Sequence, residues 1–182
     1  MACDISAPRT LPCKDSVGGL KNVYFINYDS AVSIAVETDD TVDSVVGWAA
    51  PADVYKYELK GNSSLTQNIQ SSRENGTTAF EQVLELTLPK LSATDNQAVK
   101  LLAFGRPRIV VEDYNGNLFL VGREHGADVT GGTIVTGAAM GDLSGYTLTL
   151  TAMERTPANV VSGSFIGGTA GTDGPTIDDG AA

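Results

Sequence analysis

The sequence has few of the residues from which catalytic and metal sites are built. Its 182 residues include one histidine and two cysteines, Cys3 and Cys13. Histidine and cysteine are the usual ligands of zinc, and histidine is the commonest general base. The chain also lacks a nucleophile elbow of the G-x-S-x-G type and a phosphate-binding loop with its lysine. We therefore predict that it is not an enzyme, with no catalytic, cofactor-binding or metal-binding residues and no cofactor.

Long apolar runs are also absent. No stretch of about 18 apolar residues occurs, so we expect no membrane-spanning helix and no membrane partner. The first residues, MACD, carry no basic region followed by an apolar core, so we expect no secretory signal. Without export, Cys3 and Cys13 are expected to remain thiols, with a Cys3–Cys13 disulfide as the alternative.

Positive charge is scarce. Lysine and arginine total 12 against 22 aspartate and glutamate residues, which gives a net charge of −10. A protein that grips nucleic acid by its phosphates needs clustered cations, so this balance argues against that class. Hydrophobic residues make up 42% of the chain, enough to exclude disorder over most of its length.

Most of the sequence is patterned for β-strands. Residues 23–26 are a short apolar run, residues 54–59 are rich in aromatic and β-forming residues, and residues 108–113 form one strand of a predicted hairpin. Residues 78–88 and 146–153 alternate with period two. In residues 78–88 the apolar side, which includes Leu84 and Leu86, is interrupted only by Gln82. Asn75-Gly76 and Asn115-Gly116 supply hairpin turns.

One segment is patterned as a helix. Ser92 is a suitable N-cap, Asp95 lies three residues later, and Ala98, Leu101 and Leu102 share a helical stripe. Gly105 and Pro107 end the pattern, so we predict a helix over 93–104. The predicted fold is mainly β: an antiparallel sandwich or small barrel with this one flanking helix.

Three segments fall outside this pattern. Residues 1–20 contain Pro8, Pro12, Gly18 and Gly19, which a continuous helix would not tolerate. We therefore predict that this segment is an extended N-terminal arm. Residues 21–166 form the single β domain, and the Gly- and Thr-rich residues 167–182 predict a flexible C-terminal tail. Within the domain, the glycine-rich residues 126–142 are predicted to be a long loop that a partner orders.

Two groups of residues resemble functional sites but lack a required residue. Asp113, Asn115, Asn117 and Glu124 stand at positions one, three, five and twelve of a calcium loop, but position six is Leu118 instead of glycine. The hairpin interpretation is therefore preferred. His125 lies at a strand end without a nucleophile motif, which is typical of a surface or capping residue.

Three stretches together resemble tail tube-like proteins, virion structural proteins of tailed bacteriophages. They are CKDSVGGLK at residues 13–21, VEDYNGN at residues 111–117 and TGAAMGDLSGYTLTL at residues 136–150. The resemblance implies a β-sandwich or small barrel with a flanking helix, in a virion subunit made in the host bacterial cytoplasm. It also implies a homo-oligomeric, hexameric ring whose strands join edge to edge and whose rings stack through arms and loops. DNA would pass through an acidic lumen without specific binding, beside other virion proteins.

The alternatives within that class are a head decoration protein, a head-to-tail adaptor and a baseplate protein. From another class, a carbohydrate-binding module remains open, because Trp48, Tyr55 and Tyr57 could form an aromatic sugar platform. The simpler interpretation of these three aromatic residues is that they fill the core.

Overall fold

A computed structural model describes residues 14–29, 33–36, 41–42, 44–46, 53–59, 62–161 and 176–178. Within them lie thirteen strands and one helix. The strands are β1 Leu20–Ile26, β2 Ser33–Ala35, β3 Thr41–Val42, β4 Ser44–Val46, β5 Asp53–Glu58, β6 Ser64–Ser72, β7 Thr77–Pro89, β8 Arg108–Asp113, β9 Leu118–Val121, β10 Asp128–Val135, β11 Gly145–Glu154, β12 Asn159–Val161 and β13 Thr176–Asp178. The helix α1 is Ala93–Phe104.

Two large sheets make up the fold. One has seven strands in the order β13-β5-β1-β8-β9-β12-β3, and the other has four in the order β10-β11-β7-β6. Every pairing in the four-stranded sheet is antiparallel. The seven-stranded sheet is antiparallel except for the short outer strands β13 and β3, which pair in parallel. The predicted class, a mainly β antiparallel sandwich with one flanking helix, is confirmed.

The main core lies between these two sheets. The four-stranded sheet contributes alternate side chains, which include Leu84, Leu86, Leu148 and Leu150. The seven-stranded sheet contributes Val23, Phe25, Ile109, Val111 and Val121 from its central strands. All of these side chains are nearly or completely inaccessible to solvent, as period-two strands with one packed face require.

A second core covers the opposite face of the seven-stranded sheet. It contains Tyr24, Ile26, Val110, Leu120 and other buried side chains, with Ile34 and Val36 packed against it. The central strands β1, β8 and β9 are therefore buried on both faces. This burial explains why their sequences are nearly continuous apolar runs rather than alternating ones.

The helix occupies the predicted residues, but its inner face differs from the predicted stripe. Ser92 caps it by accepting a hydrogen bond of 3.0 Å from the Asp95 backbone N–H. Val99 and Leu102 pack against the main core. Leu101 remains 65% exposed, so its assignment to the packed stripe was wrong. No residue of α1 is fully buried, and the packing of Val99 and Leu102 leaves Leu101 toward solvent.

The largest error concerns residues 126–142, predicted as a long loop. Residues 128–135 form β10, which pairs with β11 from Asp128–Thr151 to Val135–Gly145. Backbone hydrogen bonds and threonine side chains hold this strand, so it does not need the apolar residues that would have revealed it in the sequence. Only residues 136–144 form the turn of the hairpin.

Only part of the predicted domain boundaries falls within the described residues. Leu20, assigned to the arm, is the first residue of β1 and is buried. Cys3, Cys13, Trp48 and most of the predicted tail lie outside the described residues. Among the helices that the structure describes, none is long and apolar enough to cross a membrane.

Candidate functional site

The outer face of the four-stranded sheet points away from the core and is its most distinctive surface. Its residues alternate with the buried ones, and cross-strand partners such as Glu85 and Thr149 lie on the same side. We define the outer face by Ser64, Thr66, Asn68, Gln70, Ser72, Thr77, Ala79, Glu81, Val83, Glu85, Thr87, Pro89, Asp128, Thr130, Gly131, Thr133, Val135, Thr147, Thr149, Thr151 and Met153. These side chains are exposed or half-buried.

The outer face carries negative charge without positive charge. Glu81, Glu85 and Asp128 are its charged residues, and the four strands contain no lysine or arginine at any position. The remaining side chains are mostly hydroxyls and amides. Two threonine pairs bond across β10 and β11, Thr130 with Thr151 at 2.9 Å and Thr133 with Thr147 at 2.6 Å. The result is an acidic surface of mostly polar side chains.

Both edges of this sheet are open within the described part of the chain, where β10 and β6 each have one neighbouring strand. Because three antiparallel steps separate them, β10 and β6 run in opposite directions. Each carries an exposed isoleucine on its core-facing side: Ile134 on β10 is 57% exposed and Ile69 on β6 is 69% exposed. Open strand edges with apolar side chains are typical of surfaces that pair with another chain.

The two ends of the sandwich differ in charge. The hairpin end, where β10 turns into β11 and α1 begins, carries the carboxylates of Glu58, Asp95, Glu112, Asp113 and Asp142, with Lys21 and Lys90. The opposite end, which we call the arginine end, carries Arg73, Arg106, Arg108, Arg123 and Arg155 together with Asp29, Glu74, Glu124, Asp128 and Glu154. All the arginines of the described residues therefore lie at one end.

The arginine end is organised around the buried carboxylate of Glu154. Its Oε1 atom accepts hydrogen bonds from the backbone N–H groups of Glu124 at 3.0 Å and His125 at 2.9 Å. Arg123 donates to Glu124 Oε1 at 2.8 Å. That hydrogen bond, with the nearby charges of Arg123, Arg155 and His125, lowers the pKa of Glu124 although partial burial opposes the shift. Glu154 therefore fixes the turn between β9 and β10.

This arrangement also brings together three potential metal ligands that sequence spacing could not relate. Ligand atoms of Glu124, His125 and Glu154 lie within 4.8 Å of one another. Two of the three groups already have partners, since Glu154 holds backbone N–H groups and Glu124 pairs with Arg123. Neighbouring guanidinium groups further disfavour a cation. The cluster is better explained as the support of a turn than as a metal centre.

The rejected calcium loop is an Asx-type turn. Asp113 Oδ1 accepts hydrogen bonds from the backbone N–H groups of Asn115 at 2.9 Å and Asn117 at 2.7 Å. Both side-chain amides donate to its other oxygen, Oδ2. Although burial opposes the shift, these hydrogen bonds lower the pKa of Asp113. Amide donors thus surround the carboxylate where a calcium site needs oxygens, and Glu124 lies at the other end of the sandwich.

A charged network at the hairpin end surrounds Glu112. Lys21 Nζ contacts Oε1 at 2.9 Å, while Asn22 at 2.6 Å and Tyr24 at 3.1 Å donate to Oε2. Burial alone would raise the pKa of Glu112, but these donors outweigh it and the pKa is lowered. Burial, followed by the charge of Glu112, raises the pKa of Tyr24 to about 12. The network joins β1 to β8.

An apolar cleft of about 680 Å³ opens between α1 and the seven-stranded sheet, toward the arginine end. Tyr55, Leu101 and Phe104 line it and are 38%, 65% and 85% exposed. Tyr57 also lines the cleft, but its ring packs edge-on against Phe25 at 5.2 Å between centroids, as a core residue does. Of the proposed sugar platform, Tyr55 is thus accessible, Tyr57 belongs to the core, and Trp48 lies outside the described residues.

The hairpin loop, residues 136–144, is short and internally braced. Asp142 Oδ2 accepts hydrogen bonds from the backbone N–H groups of Ala138 at 3.0 Å and Ala139 at 2.7 Å. The bond from Ala139 and then that from Ala138 lower the pKa of Asp142. Gly137 has a φ of 76°, which favours glycine. This frame holds Met140 fully exposed at the loop tip.

Part of the outer face could be predicted from the sequence. The alternating threonines of residues 147–151 indicated one face of the sheet, whereas β10 and the cleft were not found. The alternation of Thr130 and Thr133 around two glycines was the available signal for β10, but glycine weakens a strand pattern. Comparisons of the chain with protein families, with curated proteins and with solved structures found no match.

Proposed function

We propose that this chain is the subunit of a homo-oligomeric ring in a virion, a tail tube protein whose rings stack into a conduit for DNA. The outer face of the four-stranded sheet lines the lumen. The observation that carries the proposal is that the four neighbouring strands β10, β11, β7 and β6 contain no lysine or arginine, while their outer face carries Glu81, Glu85 and Asp128.

Such a surface suits a wall that DNA must pass without adhering. Duplex DNA carries about one negative charge per 1.7 Å, and its affinity for a protein comes largely from counterions that lysine and arginine displace. The outer face has no cation to displace them, and its three carboxylates repel the phosphates. Its hydroxyl and amide groups keep the surface hydrated without adding positive charge.

The strand directions suit closure by rotation. In a cyclic ring every copy has the same end up, so β6 of one copy meets β10 of the next. Because these strands run in opposite directions, they would continue the antiparallel pattern across the junction. Such pairing satisfies the open edges and covers Ile69 and Ile134.

The first experiment is negative-stain electron microscopy of the purified chain, in which we expect rings and hollow tubes. Ile134→Lys and Ile69→Lys should each abolish rings, because each places a charge on the core-facing side of an edge strand that joins two copies. Val160→Lys is the matched control, since Val160 is 46% exposed but lies on β12 of the other sheet. A wild-type chain that remains monomeric at high concentration in all salts would contradict the ring and favour the decoration or sugar-binding alternatives.

The second experiment tests the lumen. Assemblies of the double variant Glu81→Lys/Glu85→Lys should retain linear duplex DNA on sedimentation, whereas wild-type assemblies should not. The control is Glu74→Lys/Asp15→Lys, which makes the same charge change at exposed residues outside the outer face. Equal DNA retention by both double variants would mean that the outer face does not line the path of DNA. Rings that never stack into tubes would instead favour the adaptor or baseplate alternatives.

A further inference from the structure

Two turns of the chain have the sequence Asn-Gly, and they differ in how the asparagine side chain is held. The backbone N–H of Asn75 donates to Ser72 Oγ at 3.3 Å, but its side-chain amide has no hydrogen bond to any residue that the structure describes. The side chain of Asn115 is clamped instead. Its Oδ1 accepts from the Val17 N–H at 2.8 Å, and its Nδ2 donates to the Val17 carbonyl oxygen at 2.7 Å.

The pair of Val17 and Asn115 is the outer anchor of the N-terminal arm. Within residues 14–19, the hydrogen bonds to the rest of the described chain are those of Val17 and that of the Gly19 carbonyl oxygen, which accepts from the Tyr114 N–H at 3.3 Å. Asn115 thus pairs with both backbone groups of one residue, as a neighbouring strand would. The position of the arm before Val17 therefore depends on one side-chain amide.

An asparagine that precedes glycine is chemically labile, because glycine has no Cβ to hinder its backbone nitrogen. In the reaction the Gly116 nitrogen loses its proton and bonds to Asn115 Cγ. The bond from Cγ to Nδ2 breaks, and Nδ2 leaves with that proton as ammonia. Water then opens one of the two carbonyl–nitrogen bonds of the resulting succinimide, which gives aspartate or isoaspartate. The net change is hydrolysis of an amide to a carboxylate, with water as the only co-reactant.

The docked arm opposes this reaction at Asn115. The amide must turn from Val17 toward the Gly116 nitrogen, so both hydrogen bonds to the arm must open first. The Gly116 N–H also donates to the Asp113 carbonyl oxygen at 3.2 Å, and Asn115 Nδ2 donates to Asp113 Oδ2 at 3.1 Å. The turn itself is exposed, and a Cβ at Gly116 would meet nothing within 4 Å. Water therefore reaches the site once the side chain is free.

We propose that Asn115 is a deamidation site that the docked arm protects, and that its conversion releases the arm. In the product a carboxylate oxygen replaces Nδ2 and faces two acceptors, the Val17 carbonyl oxygen and Asp113 Oδ2. Two donated hydrogen bonds are lost, and two carboxylates come into contact, so the docked position is no longer favoured. Hydrolysis of the amide makes this release permanent. The proposal goes beyond the proposed function and does not depend on ring formation.

The first test follows both Asn-Gly sites by peptide mass spectrometry while the full chain is kept in warm, mildly alkaline buffer. In the folded protein Asn75 should convert faster than Asn115, and in urea the two should convert at similar rates. Val17→Pro removes the N–H that donates to Asn115 Oδ1. It should speed the conversion of Asn115 about two- to tenfold, the factor equivalent to one net hydrogen bond. Val17→Ala keeps both backbone groups and should change nothing, and Asn75 is the internal standard in every variant.

The second test measures the release itself. Asn115→Asp has the chemistry of the aspartate product, and hydrogen exchange of the Val17 N–H should become about tenfold faster in it, since that group loses its protected position. Asn75→Asp makes the same change at the other turn and should leave the exchange of Val17 unaltered. Slow exchange of the backbone amides of β7 in both variants shows that the fold is intact.

Three results would overturn the proposal. Equal conversion of Asn75 and Asn115 in the folded wild type would show that the docked arm gives no protection. Conversion of Asn115 that does not respond to Val17→Pro would separate its lability from the arm. Exchange of the Val17 N–H that is as slow in Asn115→Asp as in the wild type would show that the carboxylate still holds the arm.

Discussion

Gln82 Oε1 accepts a hydrogen bond of 3.1 Å from the backbone N–H of Gly122, across the space between the two sheets. Its Nε2 atom donates to the Thr156 carbonyl oxygen at 3.3 Å. Gln82 is 1% exposed and Gly122 is also buried, whereas Thr156 is half-buried. The single polar residue in the apolar face of β7 therefore joins β7 to the turns that follow β9 and β11.

Replacing Gln82 by leucine should destabilise the fold. Leucine has a similar size but leaves the buried Gly122 N–H without its acceptor, at a cost of about 1–3 kcal/mol. Denaturant unfolding measures the loss. Gln97→Leu, at an exposed position of α1, should change the free energy of unfolding by less than about 0.5 kcal/mol.

Two adjacent glycines in β10 should respond differently to alanine. A Cβ at Gly132 would lie 2.5 Å from the Thr147 carbonyl oxygen, whereas a Cβ at Gly131 would meet nothing nearer than 3.9 Å. Gly132→Ala should therefore lower the free energy of unfolding by about 1–3 kcal/mol through overpacking. Gly131→Ala should be neutral or slightly stabilising. Equal effects in thermal unfolding would mean that residues 128–135 are not paired with β11 in this register.

Leu86→Asp should prevent soluble folding. Leu86 is 1% exposed in the main core, and an aspartate there would bury a charge without a partner. The yield of soluble protein and its circular dichroism report the outcome. Thr66→Asp, which adds the same group to the exposed outer face, should fold normally. A folded Leu86→Asp protein of near-normal stability would show that the side chain of residue 86 does not point into the core.

Glu112 should make stability depend on pH in the acid range. Its pKa is lowered from the ordinary value of 4.5, so the ionised form favours the folded state. At pH 7 the free energy of unfolding of the wild type should exceed that of Glu112→Gln by about 1–3 kcal/mol, because the variant loses hydrogen bonds to a charged group. The difference should persist down to about pH 4.5 and disappear as the pH falls through the lowered pKa.

Glu154 should matter for stability, whereas metal should not. Glu154→Ala removes the acceptor of two backbone hydrogen bonds and should lower the melting temperature. His125→Ala leaves those bonds intact and should have little effect on folding or assembly. A chelator should leave the melting temperature unchanged. A rise in melting temperature with zinc that His125→Ala abolishes would instead establish the Glu124–His125–Glu154 cluster as a metal site.

The sequence was sufficient to predict the strands and the helix whose local residue pattern agrees with their burial. The alternation in residues 146–153 and the capped segment 93–104 identified β11 and α1, because side-chain period and capping chemistry depend on nearby residues. It was insufficient where tertiary contacts decide. Leu101 follows the helical stripe but remains exposed, since the orientation of α1 depends on how Val99 and Leu102 pack.

The candidate surfaces illustrate the same division. That residues 147–151 expose threonines could be predicted from alternation alone. The lack of cations over a whole sheet required knowing that β10, β11, β7 and β6 are neighbours, which strand order in the sequence does not reveal. The meeting of Glu124 with Glu154 likewise depends on β11 ending beside the turn that precedes β10.

The even number of strands in the four-stranded sheet constrains how such a chain could diverge. Gain or loss of one strand would make the two edges run the same way, and rotated copies would then meet in parallel. Gain or loss of a whole hairpin preserves the antiparallel junction. Homologues with a wider or narrower ring should therefore differ by pairs of strands or by copy number, and single-strand insertions should be confined to the seven-stranded sheet.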